Sequence, residues 1–217
     1  MKKKNSLEQS FPEPFKVNGQ ITTKRGTWNI EYGGRIIATP EVPRDPELFA
    51  GMCQKGCKNY DRKYCCPPIA PSFDKLAERY RYLCYYYVLM KLDQLPSENY
   101  FPKIWIANKM CRSRLEKALR KTEKNHPGVL VLTSGACNLC KKCTKPENKP
   151  CKKPDKMRIN IGATGINVSE LLKKCFGFPL DWVWGDGEFK YSIVSGGLLT
   201  NEIMLPEIAI EQKLRNF

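Results

Sequence analysis

Eight of the eleven cysteines in this chain fall into two compact groups of four. Cys53, Cys57, Cys65 and Cys66 lie in MCQKGCKNYDRKYCCPP, and Cys137, Cys140, Cys143 and Cys151 lie in GACNLCKKCTKPENKPCKKP. Four thiolates within about fifteen residues are a ligand set for a soft metal centre, and two such sets predict two centres.

The second group reads Cys-x2-Cys-x2-Cys-x7-Cys. Three cysteines at every third position resemble the ligating run of bacterial ferredoxins, in which a loop wraps one face of a four-iron cluster. Zinc ribbons instead pair two separated Cys-x2-Cys knuckles, and structural zinc is the alternative here. The first group reads Cys-x3-Cys-x7-Cys-Cys-Pro-Pro. Adjacent cysteines tend to diverge, so Cys53, Cys57 and Cys66 are its first three ligands. Cys65 is a fourth ligand, a thiol just outside the site, or core. If Cys65 does not ligate, one iron lacks a protein ligand and is open to a substrate sulfur, thiol or oxygen as a Lewis acid.

Lys141, Lys142, Lys145, Lys149, Lys152, Lys153 and Lys156 crowd the second group. Nearby ammonium groups stabilise the negative charge of a thiolate-ligated cluster, favour its reduced state and raise its potential. They also suit an acidic partner such as ferredoxin or another oxidoreductase; the alternative is a solvated, proline-broken loop. Tyr60, Asp61 and Lys63, between the ligands of the first group, are candidate acid–base or orienting groups, or simply loop residues. Cys84, Cys111 and Cys175 fall on apolar stripes, where a free cysteine acts as a small hydrophobe. His126, the single histidine, precedes Pro127 at a helix end, so no His-rich hydrolytic site exists. Gly162–Gly165 lacks the spacing of a dinucleotide fingerprint. Gly185-Asp186-Gly187 reads as a turn, and Trp182-Val183-Trp184 as packing or as a shield for a cluster.

These groups need a scaffold. Residues 1–20 read as a flexible arm and 21–217 as one α/β domain with cysteine-rich loops at 53–68 and 137–154. Residues 26–38 predict a hairpin about Gly33-Gly34. Ser72 predicts the cap of a helix running to residue 83, and the aromatic run 84–92 a buried strand. Ile104, Ala107, Cys111, Leu115 and Ala118 recur at helical spacing over 102–125, ended by His126-Pro127-Gly128. A strand at 128–133 leads into the second group, Asn167 or Ser169 caps a further helix, and 189–199 is a last strand. The alternation predicts an α/β sandwich with a mixed or antiparallel sheet; strand order does not follow from it.

The chain has 217 residues, enough to bury a core without disulfides. The basic N-terminus lacks the apolar stretch of a secretory signal, and no apolar run is long enough to span a membrane. This predicts a cytoplasmic protein whose reduced thiols bind metal rather than form disulfides. The net charge of +15 favours anionic partners, nucleic acid included, although no nucleic-acid motif is present.

The chain resembles an uncharacterised prokaryotic family of predicted metal-binding proteins, domain of unknown function 2284. The residues that carry the resemblance are Cys53, Cys57 and Cys66-Pro67-Pro68, then Cys137, Cys140, Cys143, Cys151 and Pro154, with Gly165-Ile166-Asn167-Val168 and Gly196-Gly197-Leu198-Leu199. It covers roughly residues 45–202 and implies a metal, expected to be iron–sulfur, in a cytosolic protein; it brings no proven reaction. Cys65 lies outside the family pattern, which supports a three-cysteine first site. Three functions follow: a protein with two 4Fe-4S clusters in electron transfer, an enzyme using an open three-cysteine cluster for desulfidation or sulfur transfer, or a zinc-stabilised nucleic-acid-binding module.

Overall fold

Strand Tyr82–Lys91 shows why the chain folds as it does. Its first seven residues are all buried, so it must be covered on both faces. Cys84, Tyr86 and Val88 point to one side, and Leu83, Tyr85 and Tyr87 to the other. The computed structural model describes residues 11–96, 100–178, 189–208 and 210.

Six strands form one sheet: β1 (Phe15–Thr23), β2 (Gly26–Ala38), β3 (Tyr82–Lys91), β4 (Leu130–Thr133), β5 (Ile159–Asn160) and β6 (Tyr191–Thr200). The order is β1-β2-β3-β6-β4-β5. All neighbours are antiparallel except β4 and β5, which run parallel. Helix α3 (Tyr100–Asn125) covers one face, where Ala107, Cys111, Leu115 and Leu119 share an apolar cluster with Cys84, Tyr86, Val88 and Leu198. The short α2 (Phe73–Ala77) and α4 (Val168–Phe176) cover the other. There Phe73, Leu76, Leu171, Leu172 and Cys175 cluster with Leu83, Tyr85, Tyr87 and Leu199. The remaining helix, α1 (Pro46–Gly56), has no buried residue. The architecture is the α/β sandwich expected from the sequence.

Local signals hold where they are strong. Ser72 caps α2 and Asn167 caps α4, whose Glu170 amide donates to the Asn167 side chain at 3.1 Å. The α2 helix stops at Ala77, well short of residue 83, because Tyr82 and Leu83 are already paired with Thr200 and Leu199 of β6. Residues 15–20, assigned to the arm by their polarity, are the first part of β1.

Gly33 and Gly34 are not a turn. They lie within β2, and the hairpin turns at Lys24 and Arg25, next to the Thr23–Gly26 pair. A Cβ on Gly34 would stand 2.6 Å from the Phe15 ring and 2.7 Å from the Tyr86 ring. One on Gly33 would stand 2.8 Å from Tyr87. The glycines leave room for cross-strand aromatic rings to lie over the strand. Gly34→Ala is therefore expected to destabilise the fold by about 1–3 kcal/mol through overpacking, read by urea denaturation.

Candidate metal centres

The first cysteine group is built on the exposed helix α1. Asp45 caps it by accepting from the Leu48 amide at 3.0 Å, and Pro46 occupies its first turn. At its other end the Cys57 amide donates to the Cys53 carbonyl at 3.0 Å. The two thiols thus stand one turn apart on one side of the helix. The chain then folds back. Tyr60 N–H donates to the Cys57 carbonyl at 3.0 Å, and Asp61 N–H to the Pro67 carbonyl at 2.8 Å. This return sets Cys66 against the helix end. Cys53, Cys57 and Cys66 line one cavity of about 80 Å³. Its remaining walls are Asn59, Tyr60 and Pro67 from the same loop, and Ala136, Asn160, Gly162 and Ala163 from far along the chain.

Two backbone features hold α1 over those distant walls. Asp45 N–H donates to the Gly165 carbonyl at 2.8 Å, and Asn167 N–H donates to the Pro43 carbonyl at 2.9 Å. Gly165 has φ +88°, and a Cβ there would stand 2.9 Å from the Pro46 Cβ. Pro46 can rest on this backbone because no side chain stands there.

The second group occupies the crossover between the parallel strands β4 and β5. Its backbone is held by cations. Arg112 Nη2 donates to the Ala136 carbonyl at 2.6 Å, Lys63 Nζ to the Cys137 carbonyl at 2.8 Å and Lys153 Nζ to the Leu139 carbonyl at 2.9 Å. Thr144 Oγ1 closes the loop by donating to the Pro150 carbonyl at 2.8 Å. Cys137, Cys140, Cys143 and Cys151 all line one cavity of about 120 Å³, with Lys63, Lys141, Lys152 and Lys153 around it. Of the crowded lysines, Lys145 pairs with Asp61 at 3.0 Å and Lys149 with Glu147 at 2.8 Å.

Cys65 lines neither cavity. It is fully buried between them: its Sγ lies 3.7 Å from Cys66 Sγ and accepts from the Cys137 amide at 3.0 Å. The hydrogen bond shared with Cys66 holds the Cys65 thiol down to about 6 and the Cys66 thiol well above the usual range. Cys84, Cys111 and Cys175 sit in the core, where burial pushes them up to about 12, 12 and 11. They are unreactive packing thiols. His126 lies at the end of α3, its Nδ1 2.9 Å from the Thr122 carbonyl. Trp182-Val183-Trp184 and Gly185-Asp186-Gly187 lie outside the described residues.

The donor sets suit soft metal centres: seven thiols around two small cavities. Among the described residues, no three Cys, His, Asp or Glu side chains converge tightly enough to hold a single ion. The thiols surround space instead, so a single ion has to draw the thiols of its loop together to be held. Burial raises the Cys53 thiol, aided by the neighbouring Cys57, and burial also raises Cys137. A raised thiol keeps its proton to higher pH, so metal must displace protons and acidification favours release. Cadmium affinity, measured by chelator competition, is expected to fall between about pH 8 and pH 6. The slope should reach about tenfold per pH unit for each thiol that takes up a proton.

Sequence reasoning found the thiols but not the distant walls. Asn160, Gly162 and Ala163 lie about a hundred residues from Cys53 and carry no ligand chemistry of their own. The glycine spacing of Gly162–Gly165 is a local signal beside these walls, and it fits no dinucleotide motif. Among the described residues, no helix is long and apolar enough to cross a membrane. Comparison with curated proteins and with solved structures gives no match. One family matches residues 35–198, a stretch that contains every thiol of both cavities and the Gly165 seat of α1, and the chain belongs to it: "Predicted metal-binding protein (DUF2284)".

Proposed function

We propose that this metal-binding protein is an iron–sulfur protein with two 4Fe-4S clusters, acting in one-electron transfer. The observation that carries the reading is the second site, where four thiols line one cavity in a loop whose carbonyls are tied down by lysine and arginine. Thiolates about 2.3 Å from a single zinc ion stand only about 3.8 Å from each other. A multi-iron cluster instead keeps its ligating sulfurs at separate corners, which suits thiols that surround a cavity. When bound, such a cluster supplies one-electron redox chemistry and, at an iron without a protein thiolate, a Lewis-acid position. Cys137, Cys140, Cys143 and Cys151 would hold one cluster; Cys53, Cys57 and Cys66 would hold the other. Titration of anaerobic protein with dithionite, followed by electron paramagnetic resonance, tests this. Two reducible centres are expected, and a protein that takes up no electrons would refute it.

One observation favours a second reading for the first site. With Cys65 outside its cavity, that site offers three thiols, with Asn59, Tyr60 and Asn160 also lining it. A three-thiolate site leaves room for an external sulfur or oxygen ligand, as a desulfidase or sulfur-transfer enzyme requires. Tyr60 is the acid–base candidate left there, because Asp61 and Lys63 are engaged with the second loop.

The reading includes an acidic electron carrier that docks at the second site. Lys141 and Lys152 line its cavity and are exposed. Lys141→Glu/Lys152→Glu is expected to slow reduction by an acidic carrier about tenfold at low salt, and less as salt screens the charges. Stopped-flow kinetics at two ionic strengths checks it.

A further inference from the structure

The two cavities are adjacent along the chain: Ala136 lines the first and its neighbour Cys137 lines the second. Both polar groups of Cys137 are held by the loop of the other cysteine group. Its amide donates to Cys65 Sγ at 3.0 Å, and its carbonyl accepts from Lys63 Nζ at 2.8 Å. The seam continues on either side. Lys63 Nζ also donates to Asn138 Oδ1 at 3.2 Å, Tyr64 OH donates to the Lys149 carbonyl at 2.5 Å, and Lys145 pairs with Asp61 at 3.0 Å. The Asn160 amide, beside the first cavity, donates to the Cys65 carbonyl at 3.4 Å.

We propose that the two thiol sites load as one coupled unit, and that Cys65 ligates neither but is the positioning residue that couples them. A metal at either site must order the loop that carries its thiols. Because the loops are fastened through Cys65 and Cys137, ordering one already orders part of the other. The second metal then meets a better-prepared set of thiols and binds more tightly, with no change in its own ligands. The coupling is reciprocal: each site strengthens the other by the same factor. The inference rests on both groups being thiolate metal sites, not on whether the metal is iron.

Cadmium is the probe, because its bonds to thiolate absorb in the ultraviolet and it needs no sulfide. Full-length apoprotein is titrated under reducing conditions against a competing chelator. Affinity of the second site is compared between wild type with the first site filled and Cys53→Ser/Cys57→Ser, which removes first-site ligands and leaves the seam. A fall of between about 5- and 150-fold is expected, the range of ordinary coupling between sites. The same factor is expected at the first site in Cys140→Ser/Cys143→Ser. In Cys65→Ala both sites should still fill, while the coupling factor drops towards one. Cys65→Ser, whose hydroxyl can still accept from Cys137, should restore part of it. Tyr64→Phe, at the edge of the seam, should lower the factor without altering the buried thiols. Independent filling in wild type would overturn the coupling alone. Loss of one ion in both Cys65→Ala and Cys65→Ser would make Cys65 a ligand and overturn its role. Failure of wild type to bind cadmium would overturn this inference together with the reading of the groups as metal sites.

Discussion

Cys140→Ser/Cys143→Ser is expected to halve the metal bound at saturation and leave the fold intact. Both thiols line the second cavity, and both lie in a loop that contributes nothing to either apolar cluster. Serine is a poor ligand for a soft metal, so two of four donors are lost. The scaffold does not depend on them. The strand β4 that enters the loop is fixed by β6 and by α3, and the loop backbone keeps its bonds to Arg112 and Lys63. Metal analysis should give about half the wild-type content, with an unchanged far-ultraviolet circular dichroism spectrum. Full metal content in the variant would remove these residues from the ligand set.

Gly165→Ala should act on the first centre without touching a ligand. Its φ of +88° is unfavourable for a residue with a Cβ, and that Cβ would collide with Pro46 Cα, at the start of α1. Overpacking of about 1–3 kcal/mol and a left-handed backbone penalty of about 1–2 kcal/mol together give a loss of about 2–5 kcal/mol. At this chain length the midpoint of thermal unfolding should fall by roughly 10 °C. The site consequence is more specific. The helix α1 carries Cys53 and Cys57, has no buried residue of its own, and is held at its start by the Asp45–Gly165 and Asn167–Pro43 backbone bonds. Displacing it separates those thiols from Cys66. Metal should be lost from the first site while the second still fills. Normal loading of both sites in a destabilised Gly165→Ala would show that α1 is positioned in some other way.

The parts of this structure legible in the sequence are those fixed by near neighbours. The period of Ala107, Cys111 and Leu115 reveals α3, the choice of Asn167 or Ser169 as a cap reveals α4, and the aromatic run reveals β3 as a buried strand. The misreadings have distant causes. Gly33-Gly34 carries a local turn signal, yet its glycines exist for the rings of Phe15, Tyr86 and Tyr87. The helix after Ser72 is cut short by pairing with β6, more than a hundred residues away. The same division runs through the candidate site. Thiol spacing announced the donors, and the adjacency of Cys65 and Cys66 raised the question of a three-thiol centre. Spacing could not show that Cys65 lies between the cavities, or that Asp61, Lys63 and Tyr64 fasten one cysteine loop to the other. Those contacts depend on how the β4–β5 crossover passes the end of α1, which no local pattern encodes.

The central claim is that the two thiol sets hold iron–sulfur clusters. Its most direct test is the iron, zinc and acid-labile sulfide content of protein purified without oxygen, read with its visible absorption. About eight irons and eight sulfides per chain, with broad absorption in the visible, are the predicted result. About two zinc ions per chain, no sulfide and no colour would contradict the claim and leave a zinc-stabilised protein in its place.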